Sequence, residues 1–211
     1  LQKGANINSR NVNGHTALMS ICYWVHLLKN NNILKLLLSA NANVNLKDNH
    51  ETTALIHACV HCNVETIQLL LQNGAFINNV NCHGYTALMY ATTFSKNKDK
   101  ALQVIKILSN YGANINYTRS IEDNTALMLA ANKNRYSITK LLLELGANPN
   151  LPNAYGRTAI ATAAKKGHYR IIKLLLENKA DPNLRDNKGY NALAIACKYS
   201  KNISHLQTIK L

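Results

Sequence analysis

Apolar positions recur along this chain in two alternating patterns. The first is a short block of small and medium side chains, Ala17-Leu18-Met19, Ala54-Leu55-Ile56, Ala87-Leu88-Met89, Ala126-Leu127-Met128 and Ala159-Ile160-Ala161. The second is a wider stripe at helical spacing: Ile67, Leu70 and Leu71, then Ile138, Leu141 and Leu142, then Ile171, Leu174 and Leu175. Each block-and-stripe couple predicts two short helices joined by a turn. Ala58, Ala91, Ala130, Ala163 and Ala196 are small where neighbouring helices must approach closely. Polar segments separate the couples, and Gly14, Gly84, Gly156 and Gly189 stand at turn positions that want a positive φ. Glu51 and Asp123 hold that place in two cycles, which predicts less regular turns there.

The pattern has a fixed period. Thr16-Ala17-Leu18, Thr53-Ala54-Leu55, Thr86-Ala87-Leu88, Thr125-Ala126-Leu127, Thr158-Ala159-Ile160 and Asn191-Ala192-Leu193 follow one another at steps of 37, 33, 39, 33 and 33 residues. A second marker keeps the same register: Gly4-Ala5-Asn6-Ile7-Asn8, Asn41-Ala42-Asn43-Val44-Asn45, Gly74-Ala75-Phe76-Ile77-Asn78 and Gly112-Ala113-Asn114-Ile115-Asn116, with Gly146-Ala147-Asn148-Pro149-Asn150 and Lys179-Ala180-Asp181-Pro182-Asn183 after them. The cycles run over 4–40, 41–73, 74–111, 112–145, 146–178 and 179–211, after a partial helix at 1–3. The surplus residues fall in Val25–Asn32, in Thr93–Lys100 and among Tyr117–Asp123. Insertions at turns are tolerated because closure cost rises slowly with loop length. No single cycle can bury its own apolar face, so each needs a neighbour of its kind.

On these markers the chain resembles the ankyrin-repeat family, whose pattern is Thr-Pro-Leu-His-x-Ala-Ala, Gly-His, a Val/Ile and Leu-Leu helix, then Gly-Ala-Asp/Asn-Val-Asn. The resemblance covers essentially all 211 residues. It implies an all-α ankyrin-repeat solenoid of helix-turn-helix units with β-hairpin-like fingers, about six repeats forming a single domain over 1–211. Ala replaces the family's Pro throughout, and Met19, Met89, Met128 or Ala161 stands where its His usually sits, which implies an array less stable than a consensus one. The resemblance extends to ankyrin proteins of intracellular bacteria and large DNA viruses. It also places Asn45, Asn78 and Asn116 where asparaginyl hydroxylases modify some repeats.

Composition sets outer bounds. At 211 residues with 47% apolar content the chain can bury a substantial core. It holds no apolar run long enough to span a membrane. Beginning in the last turn of one helix and ending partway through another, it reads as a fragment of something longer. Cys22, Cys59 and Cys197 share one repeat slot, where they act as enlarged alanines, and five cysteines spread over four repeats suit a reducing cytoplasm. His57 and His61 lie four apart near Cys59 and Cys62, but Cys59 points inward and no fourth ligand has metal-site spacing, so no metal and no cofactor is expected. There is no phosphate loop, no paired carboxylates and no Ser-His-Asp arrangement; the reading is a binding protein, not an enzyme.

The repeat frame says where binding falls, because in ankyrin arrays the finger tips and the outer positions of each first helix line a concave face. Those slots hold His15, Tyr23 and Trp24, then His50, His57 and His61, then His83, Tyr85, Tyr90 and Phe94. Later cycles offer Tyr155, Arg157, Lys165, Lys166, Lys188, Tyr190, Lys198 and Tyr199. Aromatic and Arg side chains are the usual anchors of interfaces, so the expected partner is another protein with an apolar anchor and an acidic patch, and the viral and bacterial resemblance implies a host protein. The same resemblance implies a host-directed effector; the chain is expected to be a monomer and to act in the cytoplasm, or in the host cytosol if secreted. Two rival readings stay open. A net charge of +14 would suit RNA or DNA, although Lys35, Lys106, Lys140 and Lys173 spread that charge to the opposite side. A passive spacer within a longer protein is the other.

Overall fold

Each Thr-Ala-Leu anchor opens a helix for a local reason. Thr53 Oγ1 accepts the Ile56 N–H, Thr86 the Met89 N–H and Thr125 the Met128 N–H, so three anchors are N-caps that satisfy an orphan donor of the first turn. Thr16 receives Met19 N in the same way at 3.3 Å, and Asn191 receives Ala194 N at 2.9 Å. The two residues that follow are both buried at the four middle anchors, while Ala17 and Leu193 are exposed at the outer two, so cap and core coincide through the middle of the array. In this computed structural model, which describes residues 4–24, 31–118 and 122–199, the described residues form eleven helices.

They are α1 (Ala17–Trp24), α2 (Asn32–Ser39), α3 (Ala54–His61), α4 (Val64–Gln72), α5 (Ala87–Thr93), α6 (Lys98–Asn110), α7 (Ala126–Asn132), α8 (Tyr136–Glu144), α9 (Ala159–Lys166), α10 (Tyr169–Glu177) and α11 (Ala192–Lys198). That is five helix pairs and the first helix of a sixth, as the six-cycle pattern requires. Contacts gather into two compact units, Leu1–Asn114 and Ile115–Leu211. Within the first, α1 packs on α3, α3 on α5, and α4 on α6; within the second, α7 packs on α9, α9 on α11, and α8 on α10. Ala58, Ala91, Ala130, Ala163 and Ala196 are fully buried at these crossings. The stripes Ile67/Leu70/Leu71, Ile138/Leu141/Leu142 and Ile171/Leu174/Leu175 are buried too, each side chain contributing about 1.5–3 kcal/mol. Met19, Met89 and Met128 fill apolar core where the family pattern has His. Among the described residues no helix is long and apolar enough to cross a membrane.

The polar segments form fingers. Two carry an isolated antiparallel bridge, Lys47 with Thr53 and Val80 with Thr86, which is the extent of hairpin character among the described residues. Consecutive fingers are laced by backbone hydrogen bonds, Asn49 N–H to Asn13 O and Cys82 N–H to His50 O in the first unit, Ala154 N–H to Glu122 O and Asn187 N–H to Tyr155 O in the second. The approach is close enough to exclude a side chain: a Cβ on Gly14 would sit 2.8 Å from the Asn49 nitrogen, at φ +77. Asparagines add a second lace. Asn45 accepts from Phe76 N and donates to Gly74 O, Asn116 accepts from Asn148 N and donates to Gly146 O, and Asn78 does the same with Asn114 and Gly112.

Three sequence expectations change here. The finger at Glu51 is regular: Glu51 takes φ 58 and its N–H reaches Asp48 O, as Gly84 N–H reaches Asn81 O. The Asp48 carboxylate holds the turn whatever residue occupies the tip. Cys197 is exposed, unlike Cys22 and Cys59 in the same slot; its helix, α11, has a neighbouring first helix on one side only among the described residues. The Thr93–Lys100 surplus is shared: 94–97 stay in the turn and 98–100 open α6, which runs 13 residues against 9 in α4 with Asn97 as its N-cap. The Val25–Asn32 surplus lies mostly outside the described residues, as does the centre of Tyr117–Asp123.

Candidate recognition face

In five of the six cycles an Asn or Asp five residues ahead of the anchor organises the finger, Ser120 holding that place in the fourth. Oδ1 of Asn11, Asp48, Asn81, Asn153 and Asp186 accepts two backbone N–H groups, two and four residues on. This Asx turn fixes the finger and aims the residue just before the anchor across the face. His15 and Arg157 hold that place, and each reaches the next finger's Asx carboxylate: His15 Nε2 lies 3.1 Å from Asp48 Oδ2, and Arg157 Nε donates to Asp186 Oδ2 at 3.2 Å. A second slot, four residues past the anchor, turns back to its own finger. There His57 Nε2 lies 3.0 Å from Asp48 Oδ2, and Tyr90 Oη accepts from Asn81 Nδ2 at 2.9 Å.

Asp48 thus joins two histidines to two backbone donors. Burial raises its pKa, but the N–H groups of Thr52 and His50 and the His57 ring outweigh that, holding the carboxyl below its ordinary value. For His57 burial is the main effect and lowers its pKa; Asp48 opposes it in part. A neutral His57 therefore donates its Nε2 hydrogen to an ionised Asp48. Burial pushes the Cys22 and Cys59 thiols well above the usual range, which makes them poor nucleophiles. Cys62 Sγ donates to Cys59 O at 3.4 Å, and the ligand atoms that gather among the described residues are those of His15, Asp48 and His57, not the histidine-cysteine group flagged by spacing.

The other sequence candidates fall around this frame. In the first unit Tyr23 meets Trp24, His57 and His61 edge-on with ring centroids 4.9, 5.7 and 5.6 Å apart, and Tyr90 touches Tyr85 and stacks on Phe94 at 5.0 Å. Trp24 is 54% exposed and Phe94 50%, while His57 is only 9% exposed; His50 and His83 stand open at finger tips. In the second unit Lys198 lies over the Tyr190 ring at 4.3 Å, Lys165 over Tyr199 at 5.2 Å, and Arg157 over Tyr155 at 5.8 Å. Lys166 and Lys188 are exposed. A groove of about 330 Å³ runs between these fingers and helices, lined by Glu122, Asn153, Tyr155, Arg157, Lys165 and Lys166 among others. The Asx residues were missed as site builders, although their constant offset from the anchor was visible.

Asp186 offers a direct check on this network. Burial raises its pKa, but Tyr190 N–H, Lys188 N–H and Arg157 outweigh it and hold the carboxyl below its ordinary 3.8. A depressed folded-state pKa gives stability that is complete above the unfolded value and is lost as pH falls through the folded one. Acid titration of the chain, followed by circular dichroism, is therefore expected to show a destabilising component below pH 3.8 that Asp186→Asn removes. An unchanged acid limb in that variant would dismiss the Arg157–Asp186 link as a stabilising contact.

The comparisons agree with this architecture. The family model described as ankyrin repeats (3 copies) matches overlapping segments, residues 1–81, 24–119, 77–153, 93–186 and 127–211. An ankyrin repeat protein of Acanthamoeba polyphaga mimivirus is 34% identical over 171 residues, which is 72% of this chain and 27% of that protein. The chain thus spans about a quarter of that relative's length. Among solved structures, the human ASB11 ankyrin repeat domain superposes with a TM-score of 0.83 at 25% identity, over 99% of this chain and 88% of that one. The ankyrin repeat domain of Bcl-3 gives 0.82 at 23% identity, over 100% and 88%. These likenesses are to a solenoid fold that generally serves protein–protein contact and is typically non-enzymatic.

Proposed function

The chain belongs to the ankyrin-repeat family, and from that premise we propose that it binds a partner protein through the face formed by its fingers and first helices. The observation that carries this is the pair Trp24 and Phe94: large aromatic rings, half exposed, each backed by further aromatic side chains that hold it in place. A ring so supported loses little conformational freedom on binding, which is what interface anchors need. The partner's complementary features are an apolar anchor for these rings and an acidic patch for the exposed lysines of the second unit. The reading is of a monomer that acts by binding alone, and the viral source of a matched relative supports a host protein as the partner. Five free cysteines support a reducing compartment, the cytoplasm or a host cytosol.

The test is affinity capture from a eukaryotic lysate with and without nuclease, then titration of the captured protein. Trp24→Ala with Phe94→Ala is expected to weaken that binding at least ~30-fold, since even one hot-spot truncation costs ~2 kcal/mol or more, with the helical signal unchanged. Equal binding by the double variant would remove the aromatic anchors. Capture that disappears with nuclease would instead favour the basic surface as a nucleic-acid site. Against that rival, Lys35 and Lys140 are engaged with Glu65 and Glu144 on second helices, so the charge is not gathered into one track.

A further inference from the structure

We propose that His15, Asp48 and His57 form a binding site for a divalent transition ion of the zinc class. Both imidazole Nε2 atoms converge on one oxygen, Asp48 Oδ2, at 3.1 and 3.0 Å, and all three ligand atoms lie within 4.8 Å of one another. Around a tetrahedral zinc with bonds of about 2.0–2.1 Å the donors stand about 3.3 Å apart. The two nitrogen–oxygen separations need only a few tenths of an ångström of opening, while the two nitrogens, within 4.8 Å of each other, draw in around the ion. Two imidazoles and a carboxylate are a recurrent zinc donor set, with the fourth position left to water or an incoming group.

The surroundings meet the further demands of a metal site. Asp48 Oδ1 is occupied by the N–H groups of His50 and Thr52, which orient the carboxylate and leave Oδ2 as the ligating atom, as outer hydrogen bonds do for metal-bound carboxylates. His57 is fixed on α3, its ring held edge-on by Tyr23 at 5.7 Å and by His15 at 5.1 Å. Packing this close around the inner ring favours four ligands over six. His15 is the partly open member, with 27% side-chain exposure, so entry is from its side. On binding, the ion takes one lone pair of Oδ2 and the Nε2 lone pair of each neutral imidazole, whose single hydrogen moves from Nε2 to Nδ1 by exchange with solvent. Because His15 comes from the first cycle and the other two from the second, the ion would pin neighbouring repeats together.

Cobalt(II) is the probe, titrated into the chain carrying Cys82→Ser and Cys197→Ser so that exposed thiols do not compete. One equivalent is expected to give the visible absorption of a tetrahedral site without a thiolate charge-transfer band, and zinc is expected to displace it. His15→Ala and Asp48→Asn are each expected to weaken binding by about 100-fold or more. Asp48→Asn keeps the turn acceptor that Asn11, Asn81 and Asn153 supply elsewhere, so it should fold. Zinc at a hundredfold excess over its dissociation constant is expected to raise the melting temperature by about 5–10 °C in the parent and not in His15→Ala. A thiolate band, binding that survives His15→Ala undiminished, or no saturable single equivalent would each overturn the site.

Discussion

Ala163→Asp is expected to unfold α7 through α11 together. Ala163 is fully buried on α9, and α9 packs on α7, α10 and α11. A carboxylate there has no partner and no water, which costs several kcal/mol whether it stays charged or takes up a proton. A whole domain holds about 5–15 kcal/mol of stability, so little would remain. Repeat arrays are stabilised through nearest-neighbour interfaces, and losing the central first helix of the unit removes two such interfaces at once. Hydrogen exchange read by mass spectrometry would show the loss spreading through 126–198. Thr162→Asp, one residue away but partly exposed at the groove, should leave protection close to the parent. Loss confined to α9 in the Ala163 variant would contradict coupling between repeats.

The fold was legible because one short motif does two jobs. Thr at the anchor caps the helix and the next residues enter the core, so their period in the sequence is the period of the helix pairs. The fate of the surplus residues was not legible: nothing in Thr93–Lys100 distinguishes a longer loop from a longer α6 until Asn97 is seen as a cap. Nor was the regular finger at Glu51, whose conformation is set by a carboxylate three residues earlier rather than by the tip residue. Membership of the face followed from repeat position alone, and Trp24 and Phe94 are open there. Position alone does not give a side chain's partner. His57 and Tyr90 hold equivalent slots, yet one meets an aspartate shared with a preceding histidine and the other a lone asparagine. That difference depends on which Asx residue each finger carries, and on the slot 33 residues earlier for His15.

Asp48→Ala is the second large effect, expected to lower the first unit's stability by about 3–5 kcal/mol. Two buried-turn N–H groups lose their acceptor, at about 0.5–1.5 kcal/mol each, and the His57 Nε2 hydrogen is left buried without one, at about 1–3 kcal/mol. For a unit of this size that corresponds to a melting temperature lower by about 10–20 °C, readable as an early transition by circular dichroism or differential scanning calorimetry. Asp48→Asn separates the contributions. Its Oδ1 keeps both backbone hydrogens, as Asn81 does for His83 and Tyr85. Its amide donates toward His57, which can accept at Nε2 by moving its own hydrogen to Nδ1. The expected cost is then only about 1 kcal/mol. If the two variants were equally unstable, the carboxylate's charge would matter and the turn acceptor would not. If both matched the parent, the Asx residue would have no part in holding the finger, and the shared aspartate would be only a neighbour of the two histidines.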